Sequence, residues 1–204
     1  MGRPAAGARL RQWHDLLAAL AAMARSPAPI RPDRLVSREH RWRMCPQPPG
    51  GQETGPNPTD RGKLGSKRHV LTDARGVPLA ILVSGANRHD SMLFEDLIDA
   101  VQPVGGLQGR PKKRPDKVHA DKGYDYAKCR RALRQRGIQS RIARRGVESS
   151  ERLGRHRWVV ERTHAWFAGF GKLRIRLERQ LGTHLALLKL ACAIICLRFV
   201  ERYC

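Results

Sequence analysis

The sequence predicts an α/β fold with a mixed sheet, and three observations carry that expectation. Short runs of β-branched and apolar residues, "KRHVLTDARGVPLAILVS", "KVHA" and "QSRIAR", read as strands. Stretches with apolar residues at helical spacing stand between and after them. The order is strand, strand, helix, strand, helix, strand, helix, which belongs to a layered α/β domain. A chain of 204 residues can bury one sizeable core, with or without a short appendage.

The first two strands form a hairpin around Asp73-Ala74-Arg75-Gly76, residues with turn chemistry. "SMLFEDLIDAV" follows as a helix with Leu93, Phe94, Leu97, Ile98 and Val101 on its apolar face, and Asp90 stands before it as an N-cap. A basic Gly/Pro loop, Gly105 to Pro115, leads to the strand "KVHA". Asp121 comes next, then a turn at Gly123. The helix "YAKCRRALRQR" is closed by Gly137. After the strand "QSRIAR", two helices are expected, near Arg155–Phe167 and His184–Val200.

The first 60 residues are different in kind. They hold nine of the 13 prolines and nine arginines but no lysine. "RQWHDLLAALAAM" (Arg11 to Met23) suits one amphipathic helix, whereas prolines deny residues 24–59 long regular structure. The expected division is an irregular Pro/Arg-rich segment with one short helix over 1–59 and the α/β domain over 60–204.

Forty Lys and Arg against 18 Asp and Glu give a formal net charge of +22, which favours a polyanionic partner and nucleic acid first. A generic basic RNA-binding protein is the competing reading. The five cysteines contain no CxxC pair, so a disulfide framework is not expected and a reducing cytoplasm fits. The apolar run "HLALLKLACAIICLRFV" is interrupted by Lys189 and Arg198 and reads as a core helix instead of a membrane span.

Two carboxylates are candidates for chemistry. Asp121 follows a strand end, where sites gather in open α/β sheets. Its neighbour Asp125 has a bland role as N-cap of the next helix, and Asp121 has no such role. A salt bridge and a cation ligand both remain open for it. In "RHRWVVERTHAWF", Val159, Thr163, Trp166, Phe167 and Phe170 gather on one helix face, and Glu161, about 200° from Val159, lies on the opposite, polar face with Arg157 and His164. An exposed Arg157–Glu161 pair and a carboxylate aimed at a metal beside phosphate-holding residues are both open readings.

"GPNPTDRGKLGSKRHVLTDARGVPLA", "NRHD", "HADKGYD" and "RWVVERTHAWF" resemble, in order, the blocks of bacterial insertion-sequence transposases of the DDE type. The resemblance covers about residues 51–204. It implies a ribonuclease H-like mixed sheet flanked by helices, and three carboxylates holding Mg²⁺ or Mn²⁺ for DNA strand cleavage and strand transfer. By this resemblance Asp121 corresponds to the second catalytic Asp and Glu161 to the catalytic Glu, both metal ligands. Arg157 matches the arginine of the signature around that Glu. With His164 and Lys122 it is expected to contact DNA phosphates. DNA ends and target are the implied partners, with no membrane, a homo-oligomer when ends are synapsed, and a bacterial cytoplasmic, nucleoid-associated location.

The family's first catalytic Asp lies on a strand shortly before "GPNP". No such run is found here: between Met23 and Gly50 the only aspartate is Asp33, and Asp60 and Asp73 fall in a loop and a turn. The Pro/Arg-rich run reads like translation in another frame. The expectation is a domain lacking its first strand and impaired in activity, with a non-catalytic DNA-binding remnant as the alternative.

Overall fold

The computed structural model describes residues 35–37, 44–46, 51–103, 114–146 and 150–203, with 35–37, 44–46, 150–157 and 203 as backbone. The Trp13 helix, Asp33 and most of the basic Gly/Pro loop lie outside the described residues.

The hairpin forms where expected. β4 (Leu64–Thr72) and β5 (Pro78–Gly85) pair antiparallel, from Ser66↔Gly85 to Thr72↔Pro78. Their turn is held by Asp73, whose Oδ1 accepts from the backbone N–H of Arg75 at 2.9 Å and of Val77 at 2.8 Å. Burial nevertheless pushes the Asp73 pKa above the usual carboxylate range. Gly76 closes the turn at φ +85°, where a side chain would be strained.

Three short strands precede the hairpin: β1 (Leu35–Ser37), β2 (Met44–Pro46) and β3 (Gly55–Pro56). All three pair antiparallel with β4. β1 also pairs in parallel with β6 (Lys117–Ala120), at Leu35↔Val118, Val36↔His119 and Ser37↔Ala120, and β6 pairs in parallel with β7 (Gln139–Ile142). The expectation of a missing first strand is therefore corrected: β1 occupies the centre of the sheet, between β4 and β6. Of residues 24–59, the described pieces 35–37, 44–46 and 55–56 are strands, so the sheet draws on both sides of residue 60.

Helices cover both faces, as the α/β expectation requires. Adjacent residues of a strand point to opposite faces, so Leu71 and Val70 enter different cores. Leu71, Phe94, Leu97, Val118, Leu133 and Ile138 form one, under α1 (Phe94–Asp99) and α2 (Ala127–Gln135). Val70, Val83, Phe167, Leu188, Ala191 and Ile195 form the other, under α3 (Ser150–Gly169) and α5 (Leu181–Tyr203). The short α4 (Gly171–Arg174) joins them. Gly137, at φ +68°, ends α2, and the following amide reaches back to the Leu133 carbonyl at 2.9 Å. α5 is longer than its interrupted sequence suggests and is long and apolar enough to cross a membrane by length and composition. Leu188, Ala191 and Ile195 nonetheless sit in the second core.

Candidate active site

The strand directions define the site. β4 runs antiparallel to both β1 and β5, and β1, β6 and β7 run parallel, so β1, β5, β6 and β7 all point the same way. The loops that follow β5, β6 and β7 leave one edge of the sheet together. Asp121 begins the loop after β6, directly beyond Ala120, the register partner of Ser37. It thus stands at the carboxyl end of the central parallel pair, where crevices form in such sheets.

Asp121 and Asp125 exchange the roles expected of them. Asp121 is extended (φ −79°, ψ −178°), and its Oδ1 accepts from the Gly123 N–H at 3.0 Å, capping a 3₁₀ turn over Lys122–Tyr124. Asp125 caps no helix with its side chain. It is held by Arg130 at 2.5 Å and by the Arg145 backbone N–H at 2.9 Å, which together lower its pKa. The N-cap of α2 is Tyr126, without a side-chain cap. Three residues of 3₁₀ helix carry no periodic signal, so this exchange is invisible in the sequence.

Glu161 rides on α3, which packs against β1 and β4. The residues that follow it are clamped. Arg162 donates to the Arg75 carbonyl and lies between the rings of Trp158 and Trp166, 4.3 and 4.9 Å from their centroids. Thr163 donates to the Gly76 carbonyl at 2.6 Å. Val159, Thr163 and Phe167 are buried as expected, but so are Val160 and His164. α3 is enclosed on two sides, and His164, 5% exposed with its ring 6.3 Å from that of Phe167, lies on no polar face. This corrects the expected position of His164. Glu161 itself is half-buried, and the Arg157 side chain lies outside the described residues. Lys122 is half-buried in the turn after Asp121, where its carbonyl accepts from Arg145 Nε at 3.1 Å.

Asp90 is not the cap of α1. It is fully buried in a 3₁₀ turn (Asp90–Met92) and pairs with Lys67 at 2.8 Å, while Lys67 also donates to the Arg88 carbonyl. A short polar run and a strand lysine meet here through space, without a sequence period to reveal it. Asn87 has a packing role: a Cβ on Gly55 would lie 1.9 Å from Asn87 Oδ1, so the "GPNP" and "NRHD" blocks are in direct contact. Sequence reasoning also missed Arg176, fully buried and donating to Ser66 Oγ at 2.5 Å and to the Glu178 carbonyl at 3.1 Å.

Asp and Glu oxygens are hard ligands of the type Mg²⁺ prefers, so the donor chemistry of Asp121 and Glu161 fits a divalent ion. β1 contributes Leu35, Val36 and Ser37 and no carboxylate, and among the described residues no three His, Cys, Asp or Glu side chains gather into a metal-holding group.

Comparison with known proteins decides the family. The model of the transposase DDE domain matches residues 39–196, most of the chain. The chain belongs to the DDE transposase domain family. It is 48% identical over 198 residues to a protein named for a transposase of insertion sequence element IS402 from Burkholderia cepacia, covering 97% of this chain and 94% of that protein. It is 28% identical over 133 residues to a protein named as the transposase of insertion sequence element IS1106 from Neisseria meningitidis serogroup B, covering 63% of this chain and 42% of that protein. The DDE domain match begins two residues after β1.

Proposed function

We propose that this DDE transposase domain cleaves and transfers DNA strands of an insertion sequence, with Asp121 and Glu161 as its metal ligands, at a rate reduced by the missing first carboxylate. The observation that supports this reading is the place of Asp121, at the carboxyl end of the central β1–β6 pair, in a chain of net charge +22. A divalent ion, when bound, would activate water or a 3′-hydroxyl and stabilise the leaving oxygen. The protein's own contribution is positional. The 3₁₀ cap fixes the Asp121 carboxylate through Gly123, and the Arg162 and Thr163 contacts hold the helix of Glu161 against the hairpin. Lysines and arginines supply phosphate contacts, among them Lys122, next to Asp121, and Arg157, four residues before Glu161. His164, being buried, is not part of this reading.

The absence of an acidic residue from β1 favours a second reading, a DNA-binding remnant without catalysis. Cleavage of a duplex carrying the insertion-sequence ends, with the full chain and Mg²⁺ or Mn²⁺, separates the two. Slow cleavage that stops on chelation supports the first. Binding with a steep salt slope, but no cleavage with either metal, selects the second.

A further inference from the structure

Beside Asp121, three side chains from the three loops at the same sheet edge meet in one chain of hydrogen bonds. His89 follows β5, Tyr126 follows β6 and Arg145 follows β7. Tyr126 Oη lies 3.1 Å from His89 Nε2 and 3.1 Å from Arg145 Nη2, and the Arg145 guanidinium sits 4.9 Å over the Tyr126 ring. Arg145 Nε donates to the Lys122 carbonyl at 3.1 Å, one residue from Asp121.

The direction of each bond can be worked out. The Ser91 backbone N–H can only donate, and it reaches His89 Nδ1 at 3.3 Å, so Nδ1 accepts, and the Ser91 hydroxyl, 2.9 Å from the same nitrogen, is then also a donor to it. With Nδ1 accepting, the ring hydrogen sits on Nε2 and is donated to Tyr126 Oη. Arg145 has no acceptor atoms and also donates to Oη. Both lone pairs of the phenol oxygen are occupied, and its own hydrogen has no acceptor among the described residues. Arg145 likewise spends one Nη2 hydrogen and Nε, leaving both Nη1 hydrogens uncommitted among the described residues.

We propose that Tyr126 and Arg145 form a phosphodiester-binding site flanking Asp121, oriented by His89. Uncommitted hydrogens on a phenol and a guanidinium call for an acceptor-only anion, and a phosphodiester oxygen is that group. The N-terminus of α2 adds to the attraction, since it has neither a side-chain cap nor an acidic residue in its first turn. The acid beside the cluster, Asp125, is already neutralised by Arg130 at 2.5 Å. This inference rests on the DNA reading above and adds to it a named backbone contact.

The test is anisotropy of a labelled duplex of arbitrary sequence against the full chain, in EDTA and over a range of KCl concentrations. Tyr126→Phe keeps the ring under Arg145 and loses only the hydroxyl. It is expected to weaken binding about tenfold at an unchanged salt slope. Arg145→Gln is expected to weaken binding and lower the slope by about one. Tm is measured in parallel. If the wild type binds and both variants bind as it does, or lose only Tm, the cluster is a loop staple and the proposal is overturned while the DNA reading stands. If the wild type does not bind duplex at all, the DNA reading itself fails and takes the site with it.

Discussion

Thr163 on α3 donates its hydroxyl to the Gly76 carbonyl at 2.6 Å, joining residues 87 positions apart. The bond ties the helix of Glu161 to the turn of the β4–β5 hairpin. A Cβ on Gly76 would lie 3.1 Å from Thr163 Oγ1, in a backbone conformation of φ +85°. Thr163→Val is expected to cost about 1–3 kcal/mol, because it leaves a buried carbonyl unsatisfied. Gly76→Ala is expected to cost at least about 1 kcal/mol through backbone strain and crowding. Urea denaturation of both variants measures this.

The Lys67–Asp90 pair is buried on both sides, with side chains 9% and 0% exposed. Removing one partner leaves the other charge without its counter-ion in the interior. Asp90→Ala should therefore destabilise the fold by about 3–5 kcal/mol. The double variant Lys67→Met with Asp90→Leu should recover much of that loss, and a double-mutant cycle in urea gives both numbers.

His184 sets a pH limit. Burial, then the positive charges of Arg68 and Arg176, lower its pKa from 6.5 to about 4, against the opposing pull of Glu178. Between those values the unfolded chain binds a proton that the folded chain does not. Stability is full above pH 6.5 and is lost as pH falls towards 4, by on the order of 3 kcal/mol. His184→Gln should flatten the stability profile in that window, read by thermal unfolding at successive pH values.

Asp33 and Glu39 flank the first strand in sequence, two residues before Leu35 and two after Ser37, and Glu39 is the one acidic residue between Leu35 and Pro46. If the first-strand ligand is lost, Glu39→Gln should leave residual metal-dependent cleavage within about twofold of the wild type. A fall of tenfold or more, on the scale of losing a catalytic group, would instead make Glu39 the third ligand.

The long hairpin was legible because alternation and the Asp73–Gly76 turn are local signals, and Gly137 marked the end of α2 for the same reason. β1 was not legible. Three residues give no period, and their partners, Thr72 and Val118–Ala120, are distant in sequence. Arginine and proline around β1 argue for irregular chain, and tertiary pairing overrides them. The position of Asp121 at a strand end could be read from "KVHA", but its cap to Gly123 could not. The faces of α3 were misjudged because a single apolar stripe assumes one packing partner. That helix has two, the sheet on one side and α5 on the other.

The central claim is that Asp121 and Glu161 are the working carboxylates of this DDE transposase domain. Mg²⁺-dependent cleavage of an end-bearing duplex by the wild type, Asp121→Ala and Glu161→Ala, with binding measured alongside, tests it most directly. Slow wild-type cleavage, its loss by orders of magnitude in both variants, and duplex binding retained in all three are the expected results. Cleavage that persists undiminished in either variant, or a wild type that binds duplex and never cuts it, would contradict the account.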